Sequence, residues 1–423
     1  MIYVDSEINP LRKVIIHRPE QGIERISPQD SEKLLFDDIV YLPQMQREHE
    51  VFANVMRQFT ADDGVIEVEQ LLIETFDATD EGKEEILQLI LQFEELPASW
   101  IEKLRPLSHR ELVRTLLSGY LATEDRYLFS PIPNFVFTRD IAVVVKDHVF
   151  ITKASRAVRQ RENLLTRFFF RYHPSFQDMI REDHMVNFNN IEKYPPSRTG
   201  QPVALEGGDI MVLYEDYLIV GISERTNLHG FETLKREVFD RQLVEYVVKV
   251  AIPPQRSYMH FDTTLTQIDE RRFVGFKPIV IEGLGSNIVV YGKKGTQRNY
   301  GSFKEFLHGE IDPQIEILPV GRGISPFQER EQWTDAANVF AMAPGVILAY
   351  DRNPHTLQLF EENGFQLLGA EQFLQRTAAG QLDPSTLRNT VISLPSSELS
   401  RARGGPHCMT LPLWRTSKTN QCS

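Results

Sequence analysis

One of the two cysteines of this chain, Cys408, stands in a glycine-rich segment near the C-terminus. Residues 403–410 read Arg-Gly-Gly-Pro-His-Cys-Met-Thr. A Gly-Gly-Pro run bends the backbone sharply, and a sulfur that follows such a bend can face a cavity. Cys408, with His407 beside it, is therefore a candidate nucleophile. The alternative is a buried cysteine that merely fills apolar space, and this segment by itself favours that alternative.

Three other short segments carry candidate acid–base groups. They read Pro-Asn-Phe-Val-Phe-Thr-Arg-Asp at 133–140, Leu-Glu-Gly-Gly-Asp at 205–209 and Met-His-Phe-Asp-Thr at 259–263. Asp140 and Asp262 suit a guanidinium, because the N–H donors of this planar cation pair with two carboxylates. A thiolate at Cys408 would attack the central carbon, and the bound cation would help to form that thiolate by lowering the pKa of the cysteine.

The same segments supply the proton transfers that such an attack requires. His260 is the candidate general acid that protonates the leaving nitrogen, and the same imidazole can later take a proton from water. Glu206 is the candidate group that orients this imidazole and stabilises its charge. The chemistry predicted from these residues is thiolate attack on a cationic, carbon-centred electrophile.

Each of these groups also has a plainer interpretation. Asp140 follows Arg139 and could belong to a surface ion pair, and residues 205–209 alone resemble a turn. His260 and Asp262 would share one face of a strand, which also resembles half of a metal site. The sequence has no Cys-x-x-Cys or His-x-x-x-His pair, so a zinc site is weakly supported.

The elements that must position these residues are β-hairpins. Four segments each open on a polar residue and join two β-rich runs through a short turn: 140–152, 209–220, 262–276 and 338–350. More helical or mixed stretches follow them. The recurrence predicts a cyclic array of strand–strand–helix–strand units whose opening polar residues face a common centre. A run of unrelated hairpins is the alternative.

Residues 62–122 break this pattern. Apolar residues there recur at spacings of three and four, which predicts helices, and Ser108 with Glu111 forms a capping box ahead of one of them. We expect a helical insertion within a single catalytic domain that spans residues 1–423.

Composition narrows the class of protein. The 423 residues are 25% charged and 41% hydrophobic, with a net charge of −13, which argues against a nucleic-acid surface and suits an enzyme that acts on a small molecule. Two cysteines cannot form a disulfide framework, and Cys422 lies in a polar C-terminal tail. With neither a signal peptide nor an apolar run of membrane-spanning length, a cytoplasmic protein without membrane contact is expected.

Together these motifs resemble the arginine deiminases of the guanidine-modifying, or pentein, superfamily. The similarity runs nearly from end to end, through residues 34–38, 137–140, 158–162, 205–209, 221–226, 259–262 and 404–410. The resemblance implies a five-fold pseudosymmetric α/β propeller with a helical insertion. It also implies hydrolysis of L-arginine to L-citrulline and ammonia through a covalent amidino-cysteine intermediate. This reaction is the first step of arginine catabolism by the deiminase pathway, and it needs no metal or organic cofactor.

The resemblance also implies roles that the residues alone do not suggest. Arg159 and Arg225 would clamp the α-carboxylate of the substrate. The substrate pocket would be lined by Asn134, Phe137, Leu35 and Asn338. Arg403 would act as a gate to this pocket. One departure from the family pattern is Ile141, where many members have proline, and it should alter loop stiffness more than chemistry.

Other functions remain open at this point. An enzyme of the same fold could act on agmatine or a methylated arginine, or transfer the amidino group, but agmatine lacks the carboxylate that Arg159 and Arg225 would bind. A non-catalytic arginine-binding protein is less favoured, since binding needs no nucleophile. The sequence does not fix whether the protein forms a homo-oligomer.

Overall fold

The structure is a computed structural model that describes residues 2–36 and 38–417, without the side chain of Glu32. Cys422 and most of the polar tail lie outside the described residues. The described chain is mixed α/β, and Val- and Ile-rich runs form most of its strands.

The strands are β1 (Leu11–Ile16), β2 (Val65–Glu67), β3 (Tyr120–Leu121), β4 (Arg126–Tyr127), β5 (Ala142–Val145), β6 (His148–Ile151), β7 (Met185–Asn187), β8 (Ile210–Leu213), β9 (Tyr217–Ile222), β10 (Tyr246–Ala251), β11 (Leu265–Gln267), β12 (Arg272–Gly275), β13 (Asn287–Gly292), β14 (Gln297–Tyr300), β15 (Glu316–Pro319), β16 (Phe340–Ala343), β17 (Val346–Tyr350), β18 (Gln366–Gly369), β19 (Thr390–Leu394) and β20 (Leu411–Arg415).

The α-helices are α1 (Ser31–Leu34), α2 (Leu42–Arg57), α3 (Val68–Ala78), α4 (Asp80–Phe93), α5 (Ile101–Leu104), α6 (His109–Ser118), α7 (Gln160–Tyr172), α8 (Gln177–Arg181), α9 (Leu228–Asp240), α10 (Lys277–Val280), α11 (Phe303–Phe306), α12 (Phe327–Trp333), α13 (Pro354–Glu362) and α14 (Ala370–Ala378). Among the described helices, none combines the length and apolar character that a membrane crossing requires.

Five sheets of the described chain share one pattern. In each, a first strand pairs antiparallel with a second, and a third strand lies parallel to the second on its other side. The triplets are β5-β6-β7, β8-β9-β10, β11-β12-β15, β16-β17-β19 and β20-β1-β2. Strands β13, β14 and β18 extend two of these sheets. The four hairpins predicted from the sequence supply the first two strands of four triplets.

The fifth triplet joins the two ends of the chain. β20 pairs antiparallel with β1, with Val14 opposite Pro412 and Ile15 opposite Leu411. These strands are separated by almost the whole sequence, so no local pattern could predict their pairing. This sheet brings the segment before β1 close to the segment that carries Cys408.

Helices α3 to α6 form the predicted helical region. Their apolar faces pack with α7 in one buried cluster that includes Leu72, Ile90, Leu116 and Phe168. The capping box is present: the Ser108 hydroxyl accepts from the Glu111 backbone N–H at 3.3 Å, and the Glu111 carboxylate accepts from the Ser108 N–H at 3.1 Å. The cap satisfies backbone donors that would otherwise lack partners at the start of α6.

Candidate active site

The predicted chemical groups lie immediately before the first strands of the five triplets. They are Asp140 before β5, Glu206 before β8, His260 and Asp262 before β11, Asn338 before β16 and Cys408 before β20. Short 3₁₀ turns at Thr138–Asp140, Gly207–Asp209 and Phe261–Thr263 lead into three of these strands. The structure thus brings together side chains from five separate stretches of sequence.

Two glycines permit the close approach of these segments. A Cβ atom on Gly208 would lie 2.8 Å from Cγ of His260 and 3.0 Å from Oδ1 of Asp140. A Cβ atom on Gly404 would lie 2.2 Å from the ring of Phe137. Glycine is therefore required at positions 208 and 404, because the backbone there packs directly against side chains of the site and leaves no space for a Cβ atom.

Cys408 is buried and held by its backbone. Its N–H donates to Oδ1 of Asn338 at 3.0 Å, and its carbonyl accepts from the Arg139 N–H at 3.0 Å. The sulfur lies 3.6 Å from Oδ2 of Asp262. Burial, followed by the negative charges of Asp262 and Asp140, raises the pKa of the Cys408 thiol well above its ordinary value. Without a bound cation, the thiol form is favoured.

His260 and Glu206 form a buried ion pair. Nε2 of His260 donates to Oε2 of Glu206 at 3.0 Å, and its Nδ1 lies 3.8 Å from Oδ1 of Asp140. Burial opposes the imidazolium, but the charge of Asp140 and the hydrogen bond to Glu206 raise the pKa of His260 to about 10. Burial likewise opposes the Glu206 carboxylate, but the hydrogen bond from His260 and the charge of Arg159 lower its pKa well below its ordinary value. His260 is therefore protonated at neutral pH, as a general acid must be.

The two carboxylate oxygens of Asp140 differ in their hydrogen bonding, and so do those of Asp262. Oδ2 of Asp140 accepts from Arg159 at 2.5 Å, and Oδ2 of Asp262 accepts from His407 at 2.8 Å. The Oδ1 atoms of both aspartates are buried and accept no hydrogen bond from the described residues. Because buried acceptors are normally satisfied, these two oxygens indicate where a ligand with N–H donors would bind.

Arg159 is surrounded by carboxylates. Its Nη1 donates to Asp140 and, at 3.2 Å, to Oε2 of Glu206. Its Nε donates to Glu162 at 2.9 Å, and its Nη2 donates to the Asn134 carbonyl at 3.2 Å. All three nitrogens are thus engaged within the protein, and any contact between Arg159 and a substrate carboxylate requires this guanidinium to move.

Arg225, in contrast to Arg159, has a hydrogen-bond donor that no described residue accepts from. It is buried, its Nη2 contacts the Met259 sulfur at 3.5 Å, and its Nε is a buried donor without a hydrogen-bond acceptor among the described residues. An arginine with an unused donor can bind a carboxylate without first breaking an internal ion pair.

A cavity joins most of the predicted residues. Its lining comprises Leu35, Asn134, Phe137, Asp140, Arg159, Arg225, Met259, His260, Thr263, Ala402, Arg403 and Cys408. Glu206 and Asp262 lie behind this lining. Asn338 is also behind it, where its Nδ2 donates to the Asp262 carbonyl at 3.1 Å and its Oδ1 accepts from Cys408. The guanidinium of Arg403 lies 3.5 Å over the Trp333 ring and donates to the Arg256 carbonyl at 3.1 Å.

Among the residues that the structure describes, two groups have the side-chain types and spacing of metal ligands. Asp140, Glu206 and His260 place ligand atoms within 4.8 Å of one another, and so do Asp147, His148 and His184 at a hairpin turn and the neighbouring strand. In the first group, Nη1 of Arg159 already donates to both carboxylates, so a cation already occupies the position between them. The set is better explained as an ion-pair cluster than as metal ligands.

Sequence reasoning overlooked two acids beside the site. Asp209 accepts from the Phe261 N–H at 2.9 Å and from the Ser223 hydroxyl at 2.6 Å, and burial raises its pKa to about 6. Burial raises the pKa of Glu162, the partner of Arg159, to about 7. Asp209 also opens a hairpin, so the pattern that selected Asp140 and Asp262 could have selected it as well.

The sequence matches a family model and is similar to known proteins over almost its full length. A family model described as arginine deiminase matches residues 32–122 and 105–415. An arginine deiminase of Borrelia garinii subsp. bavariensis is 33% identical over 444 residues, covering 98% of each chain. One from Listeria monocytogenes is 31% identical over 436 residues, covering 97% of each chain.

Solved structures with a similar fold are more distant in sequence. An amidinotransferase of the saxitoxin biosynthetic pathway from Microseira wollei has a TM-score of 0.53 at 12% identity, covering 99% of this chain and 98% of its own. The N-terminal domain of a cyanobacterial arginine dihydrolase has a TM-score of 0.50 at 13% identity, covering 96% and 98%. At these identities the likeness concerns the fold alone, which is that of the penteins.

Proposed function

We propose, because this chain belongs to the arginine deiminase family and hydrolyses L-arginine to L-citrulline and ammonia, that Cys408 is the nucleophile of the reaction. The observation that carries this assignment is the buried Cys408 sulfur 3.6 Å from Oδ2 of Asp262, in a site where the Oδ1 atoms of Asp140 and Asp262 accept no hydrogen bond from the described residues. A guanidinium bound by these two oxygens would present its carbon to the sulfur.

Substrate binding itself would form the nucleophile. Before substrate binds, burial and then the negative charges of Asp262 and Asp140 hold the pKa of the Cys408 thiol high. A guanidinium between them neutralises part of that negative charge and adds a positive charge beside the sulfur, so the pKa of the thiol falls. The thiol proton passes to solvent or to a neighbouring carboxylate as the substrate binds.

The covalent steps then follow from the protonated state of His260. The thiolate forms a C–S bond to the guanidinium carbon. The imidazolium of His260 gives its proton to a terminal nitrogen, which leaves as ammonia when the C–N bond breaks, and an amidino-cysteine remains. Neutral His260 next takes a proton from water, and the resulting hydroxide adds to the carbon. The hydroxyl proton of this adduct passes to ammonia or solvent as the carbonyl forms, and the C–S bond breaks to regenerate the thiolate and release citrulline. Glu206 orients His260 and stabilises its charged form throughout.

The two arginines take different parts in this proposal. Arg225, with its unused donor, binds the α-carboxylate of the substrate, while Arg159 in its present position supports Asp140 and Glu206. Leu35, Asn134, Phe137 and Arg403 complete the wall of the cavity. A buried arginine donor favours an amino acid over agmatine as substrate.

The five triplets support the finer architecture predicted from the sequence. We propose a five-fold pseudosymmetric α/β propeller in a single catalytic domain over residues 1–423, with residues 62–122, which include β2, as a helical insertion within it. The repeated antiparallel-then-parallel strand order supports this arrangement. Cytoplasmic location and the question of a homo-oligomer stay predictions from the sequence.

The decisive experiment combines product analysis with trapping of the intermediate. Wild-type enzyme should release citrulline and ammonia in equal amounts from arginine, without added metal and after dialysis against chelator. Acid quenching followed by intact-protein mass spectrometry should reveal an amidino adduct on Cys408. Cys408→Ser should show neither product nor adduct, and steady citrulline formation by that variant would refute the proposed nucleophile.

A further inference from the structure

A second buried histidine lies directly behind the guanidinium site. Nδ1 of His407 contacts Oδ2 of Asp262 at 2.8 Å, and its Nε2 contacts Oε2 of Glu7 at 3.2 Å. All three residues are almost completely buried. The reaction steps described above use Asp262 but assign no part to His407 or Glu7.

His407 thus bridges Asp262 and Glu7. With both carboxylates ionised, this bridge requires an imidazole ring that carries a proton on each nitrogen. Ionised carboxylates only accept hydrogen bonds, and a neutral imidazole has a single N–H donor. Both His407 nitrogens can therefore be satisfied only if the ring is an imidazolium. This arrangement is a buried carboxylate–imidazolium–carboxylate chain, in which each charge has an oppositely charged partner.

The surrounding charges favour the ionised form of both carboxylates. Burial opposes ionisation of Asp262, but the hydrogen bond and charge of His407 lower its pKa below the ordinary value. For Glu7, burial is outweighed by Arg139 and His407, which lower its pKa to about 2. Nη1 of Arg139 lies 3.6 Å from Oε2 of Glu7, and the charge of Arg415 acts on Glu7 as well.

The bridge also decides which oxygen of Asp262 is available. His407 occupies Oδ2, whereas Oδ1 is buried and accepts no hydrogen bond from the described residues. Glu7 fixes the far side of the ring from the segment that leads into β1. The pairing of β1 with β20 holds this segment against the Cys408 loop.

We propose that Glu7 and His407 are positioning residues of the reaction: the imidazolium of His407, anchored by Glu7, keeps Asp262 ionised with Oδ1 free for the substrate guanidinium. This inference deepens the proposed function and rests on it. It gives the N-terminal segment a specific part in substrate binding that no motif near Cys408 discloses.

Two substitutions of His407 separate its contacts. The amide nitrogen of His407→Asn can replace Nδ1 and donate to Asp262, but it loses the charge and the contact with Glu7. The amide nitrogen of His407→Gln can replace Nε2 and donate to Glu7, but it loses the contact with Asp262. Glu7→Gln is nearly isosteric and removes only the anchoring charge, so it tests the proposal even if a His407 variant fails to fold.

The expected result is a shift of the acidic limb of the kcat/KM profile. Asp262 should protonate more readily in each variant, so this limb should move to higher pH, by roughly one unit or more for His407→Gln and by less for His407→Asn and Glu7→Gln. KM for arginine at pH 6 should rise roughly tenfold in His407→Gln. The titratable and charged groups that face Asp262, His407 and Glu7 are Arg139, Arg415, His260 and Cys408.

A matched control variant measures the effect of replacing a buried histidine outside this cluster. His173 directly follows α7, and its Nε2 lies 3.1 Å from Oε2 of Glu74 in α3. His173→Asn should lower stability without moving the pH profile. Unchanged acidic limbs and KM values in folded His407→Gln and Glu7→Gln enzymes would overturn the inference, as would an equal shift in His173→Asn.

The outcome is distinguishable from failure of the proposed function. If Cys408→Ser and Asp262→Asn lose activity while the His407 and Glu7 variants behave as wild type, only the positioning roles are wrong. If Asp262→Asn keeps wild-type activity, the assignment of Asp262 is wrong, and the inference built on it is overturned as well.

Discussion

At the residue scale, the site is a buried cluster in which carboxylates and cations alternate. Asp140, Glu206 and Asp262 each contact at least one of Arg159, His260 and His407. Such a cluster is costly to bury unless every charge has a partner, because desolvation of each ion must be offset by its neighbours. Oδ1 of Asp262 and Oδ1 of Asp140, the latter 3.8 Å from Nδ1 of His260, accept no hydrogen bond from the described residues, so both can accept from the N–H donors of one further cation such as a guanidinium.

The first prediction concerns the reactivity of Cys408 without substrate. In a Cys422→Ser background, alkylation by iodoacetamide at neutral pH should be slow, because burial and the charges of Asp262 and Asp140 disfavour the thiolate. Asp262→Asn removes one of these charges and should accelerate alkylation roughly tenfold, since a shift of one pKa unit changes the thiolate fraction by that factor. Timed mass spectrometry measures the rate, and an equal or slower rate in Asp262→Asn would contradict the electrostatic account.

The second prediction separates the two arginines. Arg225→Ala should raise KM for arginine by about 10- to 100-fold with a smaller effect on kcat, because a hydrogen bond to a charged group contributes about 1.5–3 kcal/mol. Arg159→Ala should lower kcat as well, since Asp140 and Glu206 lose their shared partner. Steady-state kinetics of both purified variants measure this split, and identical kinetic changes in the two variants would argue against different roles.

At the element scale, short turns rather than long helices place the chemistry. Each catalytic candidate lies in the short segment that leads into the first strand of a triplet. The direction in which that strand enters its sheet therefore fixes the position of the side chain. The sheet behind the turn is apolar and buried, as in Val143 and Val144 of β5 and Val212 of β8. A rigid strand therefore supports a residue that lies in the short segment before it.

The third prediction tests this close packing through a glycine. Gly208→Ala would place a Cβ against His260 and Asp140, and the required displacement should lower kcat by about tenfold or more while stability falls by about 1–3 kcal/mol. Gly369→Ala is the matched control, because nothing lies within 4 Å of its added Cβ. Kinetics and urea unfolding of both variants provide the comparison, and wild-type kcat in Gly208→Ala would show that the approach is not tight.

At the scale of the whole molecule, the buried cluster links stability to pH. The pKa of His260 is raised from 6.5 to about 10, so its contribution is fully present below pH 6.5 and is lost as the pH rises through 10. The pKa of Glu7 is lowered from 4.5 to about 2, so its contribution is present above pH 4.5 and is lost as the pH falls through 2. The free energy of unfolding should therefore be greatest between about pH 4.5 and 6.5 on the titration of these groups.

The fourth prediction follows from the alkaline side of that range. The free energy of unfolding should decrease from pH 6.5 to 9 by as much as roughly 1.4 kcal/mol per pH unit from His260. Urea unfolding at several pH values measures this slope. In His260→Asn the slope should flatten, and an unchanged slope would mean that His260 is not protonated in the folded enzyme at neutral pH.

The sequence alone determined the chemical groups, the four local hairpins and the helical region. Cys408, His260 and Asp140 stand out because few residue types can attack, protonate or bind a guanidinium, and the hairpins are read from local alternation and turns. Arg225 and Arg159 came only from resemblance to a family, since an arginine beside a strand or helix has many ordinary explanations.

Only the tertiary structure decided which groups face one another. The engagement of Arg159 by three carboxylates, the unused donor of Arg225 and the bridge from Glu7 through His407 to Asp262 each join distant parts of the chain. The sheet that pairs β20 with β1 decides the last of these, because it brings the chain ends together. Local propensity acts over a few residues, whereas such contacts depend on packing between segments hundreds of residues apart, which sequence periodicity does not encode.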